Sequence, residues 1–216
     1  MQNPIQVARR NAPIEEIDYV FLSSVLQDWE APRNVIQRLL RKGDLIRVKK
    51  GIYVFGADYA RRPYSLEVLA NKIYGPSYIS AEYALSFWGL IPEGVAEVTS
   101  MTTKKNKLFE TPVGRFSYTY INPSKYPIGV TYIQLFENIR ALIATPEKAL
   151  VDFLVKRNEK PESVAELKKI LLEDFRIGSE ALKAFNLTLL KEIAAVFNSQ
   201  TIQFLVELIK MEKHAK

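Results

Sequence analysis

Hydrophobic positions near the start of the chain change period within a few residues, and each change marks an element. At about 100° per residue, Val35, Ile36, Leu39 and Leu40 fall on one side of a helix, while Arg33, Asn34, Gln37, Arg38 and Arg41 fall on the other. Pro32 suits the first helical turn and Gly43 the position just past the end, so the pattern predicts a helix over Pro32–Lys42. Leu45–Lys49 and Ile52–Phe55 then alternate in the manner of strands and are rich in β-branched and aromatic residues. Lys50-Gly51 supplies the turn between them, which predicts a two-stranded hairpin. Upstream, Ile14, Ile17, Val20, Phe21, Val25, Leu26 and Trp29 are spaced like the buried sides of one or two short helices, with Ser23 or Ser24 as a cap.

The polar stretch Gly56–Pro63 reads as a connector, dividing the chain into residues 1–58 and 63–216. Beyond it, a helix with Ser65 near its start buries Leu66, Leu69, Ala70 and Ile73 and stops by Tyr74-Gly75-Pro76. Tyr78-Ile79 is a brief extended piece, and Ser80 is placed to cap a helix over Ala81–Trp88 that Gly89 closes. Five strands are predicted at 97–102, 108–110, 115–121, 130–136 and 140–144, read as a small antiparallel sheet. From Thr145, an N-cap followed by Pro146, the pattern is helical, with further helices near 161–174, 179–185, 188–197 and 201–213. The fold class expected is α+β, a helix–hairpin head followed by a mixed domain with a helical C-terminal part.

Charge sharpens the first segment. Between Ala31 and Gly51 lie seven basic residues and one acid, Asp44, which accounts for the entire net charge of +6 and leaves the rest of the chain neutral. Charge concentrated in this way attracts a polyanion, and nucleic acid is the expected partner. Helix, tight turn and β-hairpin in that order match the second half of a winged helix-turn-helix, in which a helix enters the major groove and the wing follows the backbone. Arg33, Asn34, Gln37, Arg38 and Arg41 carry forked donors and acceptors suited to base edges. Arg47, Lys49 and Lys50 suit phosphates, which position the protein without reading sequence, and Lys42 at the helix end adds to the DNA-binding set. A solvated surface helix would show the same charge run, and the hairpin that follows is what discriminates. A second cluster, Lys104, Lys105 and Lys107 with Arg115 nearby, falls in a loop expected to join two hairpin strands and offers auxiliary phosphate contacts.

The remaining composition mostly excludes. There is no cysteine, so thiolate chemistry and disulfides are absent, and the single histidine, His214, sits near the end of the chain, where a nucleophilic triad or zinc site is hard to build. The nine glycines form neither a P-loop nor a G-x-G-x-x-G pattern. Glu82, Glu147 and Asp152 are read as solvated or capping carboxylates. No catalytic residue, metal or cofactor is therefore expected. Residues 1–11 lack the apolar run of a signal peptide, and no stretch reaches the roughly 18 apolar residues of a membrane span, so a cytoplasmic location is expected.

Three segments, taken in order, carry a resemblance: KGDLIRVKKGIY at 42–53, YISAEYAL with WGLIP at 78–92, and TPEKALVD at 145–152. Together they resemble the AbiEi family of antitoxins and transcriptional regulators of type IV toxin–antitoxin systems, and the likeness spans nearly the whole chain. It implies an N-terminal head that binds inverted repeats in its own promoter, with the reading helix on Arg33–Lys42 and the wing on Arg47–Lys50. It also implies a C-terminal domain that counteracts a nucleotidyltransferase-like toxin. Two other classes fit the residues alone: a protein-interaction module without an operator, and a carboxylate and metal-dependent nucleic-acid enzyme.

Overall fold

The computed structural model describes residues 3–214, and among them ten α-helices and two β-sheets make a mixed α+β fold. The first lobe contains α1 (Pro4–Asn11), β1 (Glu16–Asp18), α2 (Tyr19–Val25), α3 (Pro32–Lys42), β2 (Leu45–Lys49) and β3 (Ile52–Phe55). Helix α3 has the bounds the pattern predicts, and Gly43 closes it at φ +77°, where a side chain would be strained. The hairpin is also where expected but is not two-stranded: β1 pairs antiparallel with β3, which becomes the centre of a β1-β3-β2 sheet.

That third strand corrects the reading of residues 14–20. Ile17 is buried on a strand rather than a helix, and Val20 is 76% exposed. The cap of α2 is Asp18, whose carboxylate accepts from the Phe21 N–H at 2.8 Å, while Ser23 and Ser24 lie inside the helix. Helix α1 has no counterpart in the sequence reading. Its Arg9 is buried, stacks 4.0 Å from the Phe55 ring centroid and pairs with Glu15 at 2.7 Å. The lobe closes around Ile5, Leu22, Leu26, Ile36, Leu39 and Phe55.

The second lobe opens with α4 (Leu66–Ile73), β4 (Ser77–Ile79) and α5 (Ala81–Phe87), followed by β5 (Val98–Thr102), β6 (Lys107–Thr111), β7 (Gly114–Tyr120), β8 (Val130–Phe136) and β9 (Ile139–Ala144). These strands form one six-stranded sheet in the order β6-β7-β5-β4-β9-β8. The sheet is mixed rather than antiparallel, because β5 pairs parallel with β7 and β4 parallel with β9. Helices α6 (Pro146–Arg157), α7 (Val164–Lys169), α8 (Ser179–Lys183), α9 (Leu187–Phe197) and α10 (Gln200–His214) complete it, with one π-helical turn at Ile170–Asp174 where the pattern predicts unbroken helix.

The lobes are joined by more than the connector. Val48, Ile52 and Val54 of the hairpin pack into the core of the larger lobe. Helix α4 is held at both ends by side chains of the smaller one. The buried Glu16 carboxylate accepts from the Ser65 N–H at the N-terminal end and pairs with Arg62 at 3.3 Å, while the Lys49 ammonium donates to the Ile73 carbonyl at the C-terminal end. The signs match the helix dipole, negative at the start and positive at the finish.

Gly56, where β3 runs into the connector, faces the α3 cap: a Cβ there would stand 1.9 Å from the Gly43 carbonyl oxygen. Because that neighbour is backbone and cannot swing away, Gly56→Ala is expected to cost at least about 1–3 kcal/mol, seen as a lower urea midpoint with an unchanged slope.

Candidate nucleic-acid interface

Helix α3 presents three strips of polar side chain to solvent. Asn34 and Arg41, two turns apart, form the crest; Arg33 and Gln37 descend one flank, and Arg38 and Lys42 the other, all exposed. The first flank faces the hairpin across a groove of about 690 Å³ that Arg33, Gln37, Arg47, Lys50, Tyr19 and Tyr53 help line. The backbone fixes this arrangement locally, since the Tyr19 N–H donates to the Gly51 carbonyl at 2.9 Å and so ties the hairpin turn to the start of α2. Tyr19, 42% exposed, is a groove residue that the sequence reading missed. An aromatic residue beside Val20 offers no local signal that it faces outward.

Among the expected DNA-contacting residues, Arg33, Asn34, Gln37, Arg38, Arg41, Lys42, Arg47 and Lys50 are thus exposed on α3 and the hairpin. Lys49 is not among them. A bulge between Arg47 and Lys49 breaks the period of two and turns Lys49 toward α4, where its ammonium caps Ile73 and lies 5.0 Å from the Phe109 ring centroid. Burial lowers its pKa, and neighbouring Lys104 lowers it further.

Lys104, Lys105 and Lys107 are exposed, but not at a hairpin tip. Strands β5 and β6 flank β7 instead of pairing with each other, so residues 103–106 form a crossing connection and Lys107 begins β6. This crossing carries the cluster to the turn end of the first-lobe hairpin: Lys104 donates to the Gly75 carbonyl beyond the end of α4, and Lys107 shares the Phe109 ring with Lys49. Arg115 is engaged elsewhere, with Glu97 at 3.5 Å and Glu110 at 3.8 Å.

A second polar cluster is entirely internal. Asp152 and Lys148, one turn apart on α6, are both completely buried and paired at 2.8 Å. The other Asp152 oxygen accepts from the Tyr78 and Ser80 hydroxyls, each at 2.8 Å, and Lys148 also donates to the Lys125 carbonyl at 3.0 Å. Burial raises the Asp152 pKa and lowers that of Lys148, and their mutual attraction opposes both shifts. Two expectations change here. Asp152 is not solvated, and Ser80 directs its hydroxyl to Asp152 rather than capping α5. Glu147 is buried with its carboxylate on the Asn186 N–H at 2.6 Å, a capping role for the turn that starts α9. Glu82 is paired with Lys156 at 2.7 Å. The Asp152 cluster consumes its own hydrogen-bonding capacity and offers nothing to a substrate; it joins the 78–92 and 145–152 segments to each other.

The geometry defines a mixed α+β protein with a basic helix and hairpin surface on its smaller lobe. A crystal structure of the RV2827C protein from Mycobacterium tuberculosis is similar over 98% of this chain and 80% of that one, with a TM-score of 0.53 and 14% sequence identity, a likeness of fold alone. No protein-family model matches the chain. Nor does any curated protein match its sequence.

The two classes of lysine separate by experiment. Lys49→Gln removes a charged hydrogen bond at a helix end and is expected to lower stability by about 1 kcal/mol, whereas Lys50→Gln leaves the melting temperature unchanged. Asp152→Ala, which strands the buried Lys148 ammonium, is expected to cost about 3–5 kcal/mol in chemical denaturation.

Proposed function

We propose that this protein is a DNA-binding transcriptional repressor and the antitoxin of a type IV toxin–antitoxin system, of the AbiEi kind. Residues 1–58 serve as a winged helix-turn-helix head and residues 63–216 as the antitoxin domain, which counteracts a nucleotidyltransferase-like toxin in the cytoplasm. No helix among the described residues is long and apolar enough to cross a membrane.

The observation that carries the reading is the placement of free charge. The outward side chains of α3 are polar or cationic, none of the Arg33, Arg38, Arg41, Lys42, Arg47 or Lys50 cations enters an ion pair among the described residues, and a groove of about 690 Å³ lies between helix and hairpin. An α-helix of this width fits the major groove, where Asn34 and Arg41 on the crest and Gln37 and Arg33 beside them reach base edges. Arg47 and Lys50 then meet the phosphates that border the groove. Lys105 and Lys107 extend the phosphate contacts beside the turn end of the hairpin. Two copies occupy an inverted repeat, one head to each half-site, and repression follows from occupancy of the promoter.

A mobility-shift titration on the DNA upstream of the gene tests this directly. Binding is expected with about five phosphates neutralised, so that log affinity falls against log salt with a slope of about −4 to −5. Arg33→Ala, Gln37→Ala or Arg41→Ala is expected to lose about 1–3 kcal/mol on the operator and to relax preference at one base pair. Lys50→Gln weakens all sequences alike and lowers the salt slope by about one. Operator binding that survives all four changes would overturn the reading.

A further inference from the structure

The flank of α3 that faces away from the hairpin borders a separate notch of about 370 Å³. Leu39 contributes to its apolar floor, Trp29 and Tyr59 to its walls, and Arg38, Lys42 and Asp44 to its rim. Trp29 and Tyr59 are only partly covered although both pack on the lobe's core, so aromatic surface is left open at this point. None of the three charged rim groups enters an ion pair among the described residues. The notch thus combines aromatic walls with two free cations on one helix face, one turn apart, and a free carboxylate. Its volume lies within the range of small-molecule sites.

We propose that this notch is a binding site for a nucleoside monophosphate. The base lies against Trp29 and Tyr59, the phosphate meets Arg38 and Lys42, and the Asp44 carboxylate accepts from a ribose hydroxyl or an exocyclic amine. A bare aromatic acid would leave Asp44 without a donor, and a bare phosphate would leave the aromatic walls uncovered. Each half of a nucleotide answers one half of the lining. The phosphate would also occupy Arg38 and Lys42, and a bound nucleotide therefore lowers affinity for DNA; that consequence rests on the DNA-binding reading, while the site itself does not.

The test is a calorimetric and tryptophan-emission titration of the full chain with AMP, GMP, CMP and UMP. The second tryptophan, Trp88, is remote from the notch, and its indole N–H donates to the Ala144 carbonyl at 2.8 Å, so the emission change is assigned to Trp29 if Trp29→Phe abolishes it. Saturable binding of at least one mononucleotide is expected, weakened about tenfold or more by the Arg38→Gln/Lys42→Gln double change, with an unchanged melting temperature. The matching nucleoside and inorganic phosphate should each bind at least about tenfold more weakly than the nucleotide. No saturable heat for any of the four at millimolar concentration, or an unchanged affinity in the double variant, overturns the site. Inorganic phosphate binding as tightly as the nucleotide does the same, by reducing the site to simple anion attraction. Nucleotide binding without any promoter binding would sink the DNA reading and leave the site standing, whereas nucleotide binding that leaves promoter affinity unchanged would sink the competition between them.

Discussion

Helix α4 is the element through which the two lobes hold each other, and its grip is electrostatic at both ends. An isolated helix of eight residues would be marginal in water, with unpaired N–H groups at one end and unpaired carbonyls at the other. Here the N-terminal end receives the buried Glu16 carboxylate from β1, and the carbonyls of Ala70, Ile73 and Gly75 accept from Tyr118, Lys49 and Lys104. Contacts of this kind are each worth about 0.3–1 kcal/mol in exposed settings and up to about 2 when partly buried. They work together because the partners come from different parts of the chain, so α4 cannot shift without breaking contacts to β1, β2 and the β5–β6 crossing at once. Apolar packing of Val48, Ile52 and Val54 into the larger core adds the non-directional part of the attachment. The orientation of α3 relative to the six-stranded sheet is thereby a property of the fold and not of the connector.

The buried Lys148–Asp152 pair has the corresponding role within the larger lobe. Taking two charges fully out of water is costly, and such a pair is tolerable only when the remaining donors and acceptors are met. Tyr78 and Ser80 meet them from β4 and its end, and the Lys125 carbonyl from the turn before β8. The arrangement therefore specifies one register among three segments that are far apart in sequence. An apolar substitute of equal volume could match its stability without that specificity.

Local chemistry was legible in the sequence wherever it alone decides the outcome. Pro32 and Gly43 bracket α3, Thr145-Pro146 opens α6 with the threonine side chain accepting from the Lys148 N–H, and the hairpin strands end where the pattern ends. What escaped is what depends on distant partners. Glu16–Asp18 is short and acidic and becomes a strand only because β3 has an open edge to offer. Lys148 and Asp152 have the i, i+4 spacing of an ordinary surface ion pair, and their burial is imposed by β4 and α9. Lys49 and Lys50 are identical as letters, yet one backbone bulge sends the first inward and leaves the second in water.

That last contrast bears on how charge should be counted. Arg9, Arg62 and Lys148 pair with carboxylates, so their charge is largely answered within the fold, while Lys49 is turned onto the Ile73 carbonyl. The cations of α3 and of the hairpin turn have no such partners among the described residues, although Asp44 is close by at the helix end. A polyanion approaching in solution responds to the unanswered charge and is screened beyond about 8–10 Å at ordinary ionic strength. The attractive surface is therefore narrower than the formal net charge suggests and is centred on one helix whose two flanks differ: one opens toward the hairpin, the other toward an aromatic notch. Since both flanks belong to the same rigid helix, a ligand on one is placed to alter what the other can bind through charge alone, with no change of shape required.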